Sequence, residues 1–417
     1  MKNRMKREQR ASKLVALSNV SILRMAEKLI SSIIFITVVA TATAQNGYEN
    51  ILKEIEANST TLNALREQME VRKLINQTGI YLENPGVEFN YLWGSPSLIG
   101  NRTDVSVTQS FDFPSAYAYR KKIANLENTN VELSYQSERI TLLLSVRKIC
   151  IELIYYNALA KEYAVRLFNS ERIAETYKAK LDKGETNIIE YNKAQLNLIA
   201  VQNEVARIET EQKSLLSELK RLNGDKEISF DADKYSGNIL PADFNAWYVQ
   251  AESKSPVLQY VSTQIEINEQ QIKLNRVMGL PKFSAGYMSE KIVGEWYQGV
   301  SIGISIPLWE NKNQVKQAKT QLKASEYALN DTKVQFCRNL QNLYLRASSL
   351  QQTVLKYKNA LSVYNNETLL KKALDAGEIS LLEYLLEIEY YYSVFNSMLE
   401  SERDFEFSFA ELSAIEL

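Results

Sequence analysis

The sequence contains no histidine, and that removes a large class of chemistry at once. Serine or cysteine nucleophiles that rely on an imidazole base are excluded, and so are metal centres built on imidazole nitrogen. Two cysteines, Cys150 and Cys337, stand alone in helix-like runs, with no C-x-x-C and no zinc-site spacing. They read as two separate small apolar residues rather than a disulfide framework. No Gly-rich phosphate loop is present. Glycine and proline are also scarce, 14 and 7 in 417 residues, so long stretches carry no helix breaker. Beyond the N-terminus no uninterrupted apolar run reaches 18 residues, which leaves no candidate membrane-spanning helix. The expectation is a protein that is not an enzyme and needs no cofactor or metal.

The first 44 residues have their own pattern. Residues 1–28 hold eight Lys/Arg and two Glu, the apolar run Leu29–Ala40 follows, and Ala42 and Ala44 precede Gln45. A basic region, a short apolar core and an A-x-A end read as a secretory signal peptide over 1–44; the alternative, a membrane-anchoring helix, would need a longer apolar run and a stop-transfer flank. Its removal takes the formal charge from −1 to −1 − 6 = −7 for 45–417. An acidic exported chain is a poor partner for nucleic acid.

The remainder is one pattern written twice. Aligning Gly184 with Gly377 sets "LDKGETNIIEY" on "LDAGEISLLEY", and the same offset of 193 sets Pro114 on Pro307. Each proline lies 70 residues before its glycine. Each glycine lies 40 residues before the next landmark, Gly224 or Leu417. Such fixed distances indicate an internal duplication. The first structural repeat covers 45–224, a connecting segment 225–245, and the second repeat 246–417.

Within each repeat the residues between proline and glycine contain no breaker. They read as a continuous helix of about 100 Å at 1.5 Å per residue. Leu322, Leu329, Phe336, Leu343, Leu350, Tyr357 and Tyr364 lie seven apart, the spacing of a coiled-coil seam. The glycine marks the turn of a helical hairpin, where positive φ is permitted. A shorter helix opens each repeat, the second over about Phe244 to Met278. Between opening helix and proline the period falls to two, which predicts strands at about 86–94, 103–113, 282–289 and 297–306. In "VEFNYLW", Val87, Phe89, Tyr91 and Trp93 share a face. In "VSIGISI", Val300, Ile302, Ile304 and Ile306 oppose small or polar residues. An apolar aromatic face opposite a small polar one fits strands between lipid and water. Trp93 and Trp296 near the strand ends fit interfacial anchors.

The duplication, the two strands followed by proline and a very long helix, and the glycine-centred tip with an acidic residue six positions on (Gly184 with Glu190, Gly377 with Glu383) together resemble the TolC-type outer-membrane efflux proteins. The resemblance covers essentially all of 46–417, although that family more often places Asp at the acidic position. It implies a mainly α fold with a small transmembrane β part, built from a duplicated helix–strand–strand–long helix–helix unit. It further implies a homotrimer, with a trimeric α-barrel and a shared 12-stranded β-barrel, since four strands in one chain cannot close. The implied location is the outer membrane of a Gram-negative bacterium, with the helices in the periplasm and lipid around the strands. Gln45 stands where many relatives carry a lipidated cysteine, so no lipid anchor is expected.

The implied function is a passive exit duct of a tripartite efflux pump or type I-like export system. Its partners would be a periplasmic adaptor (membrane fusion) protein and an inner-membrane RND or ABC transporter. By the same resemblance, Glu383, Glu387 and Glu378 are the expected pore gate or selectivity residues. Gly184, Glu185, Glu190, Gly377 and Asp375 mark adaptor-docking hairpin tips, and Pro114 and Pro307 mark strand-to-helix junctions. Two other readings compete: a periplasmic coiled-coil adaptor, which would carry one hairpin and β-rich modules, and a secreted helical scaffold, which would not need four apolar-faced strands.

Overall fold

The computed structural model describes residues 48–417; the signal-peptide reading of 1–44 lies outside them. Two compact units are present. One holds 48–58, Val146–Asn238 and Tyr364–Arg403; the other holds Ser59–Ser145, Ile239–Val363 and Asp404–Leu417.

The second unit carries the sheet. Helix α1, of the first unit, covers 48–58; in the second unit α2 covers Thr60–Asn76, and the buried Ser59 hydroxyl caps it by accepting from the Leu62 N–H at 3.4 Å. The second repeat does the same. Its opening helix is not continuous over 244–278 as the sequence led one to expect. It divides into α5 (Phe244–Lys254) and α6 (Pro256–Val277), because Pro256 cannot donate into a preceding helical turn. Ser255, also buried, caps α6 by accepting from Leu258 N–H at 3.4 Å. A buried serine thus caps the second opening helix of each repeat, at a separation of 196 rather than 193 residues.

The strands are β1 (Gly86–Leu92), β2 (Arg102–Phe111), β3 (Lys282–Ile292) and β4 (Glu295–Ser305). They form one antiparallel sheet in the order β1-β2-β3-β4. The β3–β4 connection is the two-residue turn Val293–Gly294, with φ of 42° and 87°. Positive φ at both positions matches the strand twist of a tight hairpin. Helix α3 runs from Pro114 to Asp182 without a break, 69 residues, as its lack of Gly and Pro predicts. Near its start Ala116 and Ile123 pack on Ile267 and Leu274 of α6.

The second long helix departs from expectation. It starts at Gln314 rather than at Pro307, after a turn in which Asn313 takes φ of 69°. It also stops: α7 ends at Val363, and α8 (Glu367–Ala376) begins after a three-residue break. Neither glycine nor proline causes the break. The Asn365 side-chain oxygen accepts from the Glu367 N–H at 3.1 Å, a local bond that competes with helix propagation.

In the first unit α4 (Ile188–Leu222) and α9 (Leu381–Leu412) follow the two glycine tips. Its core sets Ala174 and Tyr177 of α3 and Ala194 of α4 against Leu374, Leu381, Tyr384, Ile388 and Tyr392. The connecting segment is strapped to α3. Asn157 donates to the Phe230 and Ala232 carbonyls at 3.3 and 2.9 Å, and Tyr235 donates to the Ile151 carbonyl at 3.0 Å. Both cysteines are free, Cys150 buried and Cys337 partly so.

Candidate functional site: a two-faced sheet and two hairpin tips

Strand register decides which side chains share a face. On one face Val87, Val107, Tyr287 and Val300 form a row across all four strands. Beside it lie the rows Gln109–Ala285–Ile302 and Phe111–Phe283–Ile304 on one side and Phe89–Val105–Ser289–Gln298 on the other. The outermost row, Tyr91–Thr103–Lys291–Trp296, is amphipathic. These apolar residues are exposed, Val300 and Ile302 each 82%. From Trp296 to Ile306 the strand path is ten residues, about 34 Å. At a strand tilt near 40° that path rises about 26 Å, matching an apolar barrel band of about 25 Å flanked by aromatics.

The opposite face carries Ser106, Thr108, Ser110, Ser284, Gly286, Gly299, Ser301 and Gly303. Its charge gathers toward the β3–β4 turn. Asp104 and Glu290 sit directly across from one another, and like charges so placed repel. The Arg102 guanidinium bridges both, at 2.8 and 3.2 Å. β1 and β4 pair on one side only, so the sheet has two open edges. Such edges are templates for pairing with another chain.

Pro114 is the first residue of α3, where its missing N–H costs nothing. Around it the Asp112 N–H donates to the Tyr117 hydroxyl at 3.0 Å, and Arg120 pairs with the Asp112 carboxylate. Pro307 follows β4 but is separated from α7 by the turn already described, so the two junctions are not equivalent.

The two tips are alike in backbone. Gly184 and Gly377 have φ of 74° and 75°. At the first, Glu185 N–H donates to Lys180 O at 2.8 Å and Gly184 N–H to Leu181 O at 2.9 Å. At the second, Glu378 N–H donates to Ala373 O at 2.9 Å and Gly377 N–H to Leu374 O at 3.1 Å. Each is a Schellman motif, the paired closure that a left-handed glycine permits.

The side chains differ. Asn187 caps α4 by accepting from Ile189 and Glu190 N–H at 2.9 and 3.0 Å, and Glu190 is ion-paired to Lys193 at 2.7 Å. At the second tip Ser380 and Glu383 cap reciprocally. Glu383 N–H donates to the Ser380 hydroxyl at 3.2 Å, and Ser380 N–H donates to the Glu383 carboxylate at 2.8 Å. This capping box was readable in "SLLE" but the sequence reading assigned Glu383 only to the pore. The Ser380 N–H and hydroxyl hold the Glu383 carboxyl below its ordinary value. A lowered folded pKa means the stabilisation is present above the ordinary glutamate value near 4.3 and fades as pH falls through the folded value. Glu383→Gln should therefore lower thermal stability at pH 7 by more than at pH 3, as read by circular dichroism; an equal loss at both would deny the charged cap.

Glu378 and Glu387 are exposed and make no ion pair with any described residue. Asp375 lies 3.8 Å from Arg172, both exposed, and Glu185 is exposed. The three tyrosines after the acidic group divide as three consecutive helical positions must: Tyr390 is 74% exposed, Tyr391 is half-buried and Tyr392 is core.

No protein-family model and no curated protein matches the sequence. Solved structures do. CusC, a former of transmembrane channels, matches with a TM-score of 0.74 at 14% identity, covering 89% of this chain and 92% of that one. The CmeC outer membrane channel of Campylobacter jejuni matches with 0.70 at 13%, over 88% and 84%. The outer membrane protein VceC of Vibrio cholerae matches with 0.72 at 13%, over 88% and 95%. The backbone thus follows theirs almost end to end, and the chain shares the mainly helical fold with a small sheet that the TolC-type resemblance leads one to expect.

Proposed function

We propose that the protein is the outer-membrane exit duct of a tripartite efflux pump or type I-like export system. Three chains close a 12-stranded barrel by pairing the β4 edge of one copy with the β1 edge of the next. The exposed apolar face then meets lipid and the small polar face lines water. The observation that carries this reading is the sheet itself: a four-stranded antiparallel sheet with two open edges, one mainly apolar exposed face and one face rich in small and polar residues. A soluble protein would cover such a face. The long helices form the periplasmic α-barrel. The duct is passive, and an inner-membrane RND or ABC transporter supplies the energy. The tips at Gly184, Glu185 and Glu190, and at Asp375 and Gly377, dock the periplasmic adaptor.

The gate lies on the second hairpin. There Glu378, Glu383 and Glu387 face no basic partner, whereas Glu190 at the first is neutralised by Lys193. Repeated three-fold, these carboxylates make an acidic ring that favours cations. In planar bilayers the purified protein should open cation-preferring channels. Glu383→Gln combined with Glu387→Gln should reduce that preference while channels still form. Channels with unchanged selectivity would remove these residues from the pore. Recovery of the native protein in the soluble periplasmic fraction would remove the duct reading altogether.

A further inference from the structure

Between α3, α4 and α9 of the first unit lies a half-open cavity of about 160 Å³. At its wall sits Arg166, only 4% exposed. Its guanidinium is stacked between two rings, 3.9 Å from the Tyr392 centroid and 4.5 Å from that of Tyr163. Its Nε donates to Glu162 at 3.1 Å and its Nη2 to Asn396 at 3.0 Å. Its Nη1 has no hydrogen-bond partner among the described residues, and the same holds for the hydroxyls of the core residues Tyr384 and Tyr392. Burial, reinforced by the Glu367 charge, pushes the Tyr392 phenol up, so it remains a proton donor.

The fold does not require this set. Under the 193-residue offset, Arg166 corresponds to Asn359, Tyr163 to Lys356, and Tyr392 to Ile199. The helical scaffold is duplicated; the stacked arginine is not. Neither Arg166 Nη1 nor the two phenol oxygens is a fully buried unpartnered atom, so these donors keep contact with water, which a bound acceptor can replace. The donors at this wall include Arg166 Nη1 and the Tyr384 and Tyr392 phenols, beside the polar side chains of Tyr163, Asn169 and Ser170. Against them, Ile173, Leu385 and Ile388 supply an apolar wall. Of the carboxylates that also line the cavity, Glu204 is paired to Arg207 at 2.8 Å and Glu389 is exposed to water. The Arg166 charge is itself paired to Glu162 at 3.1 Å, so what the wall offers a ligand is its remaining N–H donors rather than an uncompensated charge.

We infer that this cavity is a binding site for a short-chain aliphatic carboxylate. The carboxylate accepts from Arg166 Nη1 and the tyrosine hydroxyls, and the chain lies on the apolar wall. Charge-assisted bonds of guanidinium to carboxylate are among the stronger ones in proteins. A cavity on the order of 150 Å³ holds a molecule the size of benzene, which sets the ligand at about six to eight heavy atoms. Bound there, the ligand joins three helices and stabilises the folded chain by mass action.

Thermal unfolding of the purified full chain in detergent tests this, with sodium hexanoate as the probe. Millimolar hexanoate should raise Tm by a few degrees, while hexylamine and hexanol should leave it unchanged. Arg166→Met should abolish the rise. Because that substitution also removes the stacked cation, Ala200→Phe is the second variant. Ala200 is exposed and lines the cavity on α4, so a ring there takes up cavity space and leaves the Arg166, Glu162 and Asn396 side chains in place. The hexanoate rise should disappear there while the ligand-free Tm is kept. No rise with hexanoate, an equal rise with hexylamine, or a rise that survives both variants overturns the assignment.

Discussion

An arginine in place of Ile302 should keep the chain out of the outer membrane. Ile302 is 82% exposed and stands between Val300 and Ile304 on the apolar face, near the middle of the band. In a lipid-facing barrel strand an arginine at mid-depth costs about 2–4 kcal/mol. Three-fold assembly applies that cost in every copy, which is comparable to a large share of a domain's total stability of about 5–15 kcal/mol. Gly299→Arg provides the comparison. It adds the same charge one face over, on the polar side, and a Cβ at Gly299 would meet nothing within 4 Å. Membrane fractionation should find Gly299→Arg in the outer membrane and Ile302→Arg in soluble or aggregated form. Equal insertion of both would mean that the apolar face does not meet lipid.

The sheet was legible because its two faces differ strictly residue by residue, from Val300 to Ile306, and period two is a short-range signal. The length of α3 was legible for the opposite reason, since 69 residues without Gly or Pro leave a helix nothing to stop on. The break before α8 was not legible by that rule. Asn365 interrupts the helix through one side-chain bond, and asparagine within a long helical pattern usually points to solvent instead. The division at Pro256 could have been seen, because "SKSP" pairs a capping serine with a proline at the first helical position. It was hidden by a periodicity that continues on both sides. At the tips the glycine turns were plain, while the reciprocal Ser380–Glu383 cap was overshadowed by the charge of the glutamate. Arg166 was the most obscure of all. At helical spacing it falls within the apolar run of α3, and nothing local marks it as buried. Only the comparison of the repeats, arginine against Asn359 and Tyr392 against Ile199, sets it apart.

Proline at Gly377 should abolish export while leaving the protein in the membrane. Gly377 holds φ at 75° and donates its N–H to Leu374 O at 3.1 Å. Proline fixes φ near −65° and has no N–H, so both the turn and one bond of the Schellman closure are lost, at about 3 kcal/mol or more. Gly377→Ala separates the two causes. A Cβ there meets nothing within 4 Å, so alanine pays only the left-handed backbone penalty of about 1–2 kcal/mol and keeps the N–H. The damage from proline cannot stay at the turn. Leu374 and Leu381 flank it on either side, and both belong to the core that also holds Tyr384 and Ile388. The sheet belongs to the other compact unit and keeps its register, which is why insertion should survive. Gly184→Pro breaks the same closure, but α4 then restarts from Asn187 and Glu190 keeps its pair with Lys193. At the second tip the misplaced turn also disturbs Ser380 and the Glu383 carboxylate it holds. Efflux measured in cells expressing the full pump should therefore fall in the order alanine at Gly377, proline at Gly184, proline at Gly377. Normal efflux with proline at Gly377 would show that this tip has no part in coupling the duct to its partners.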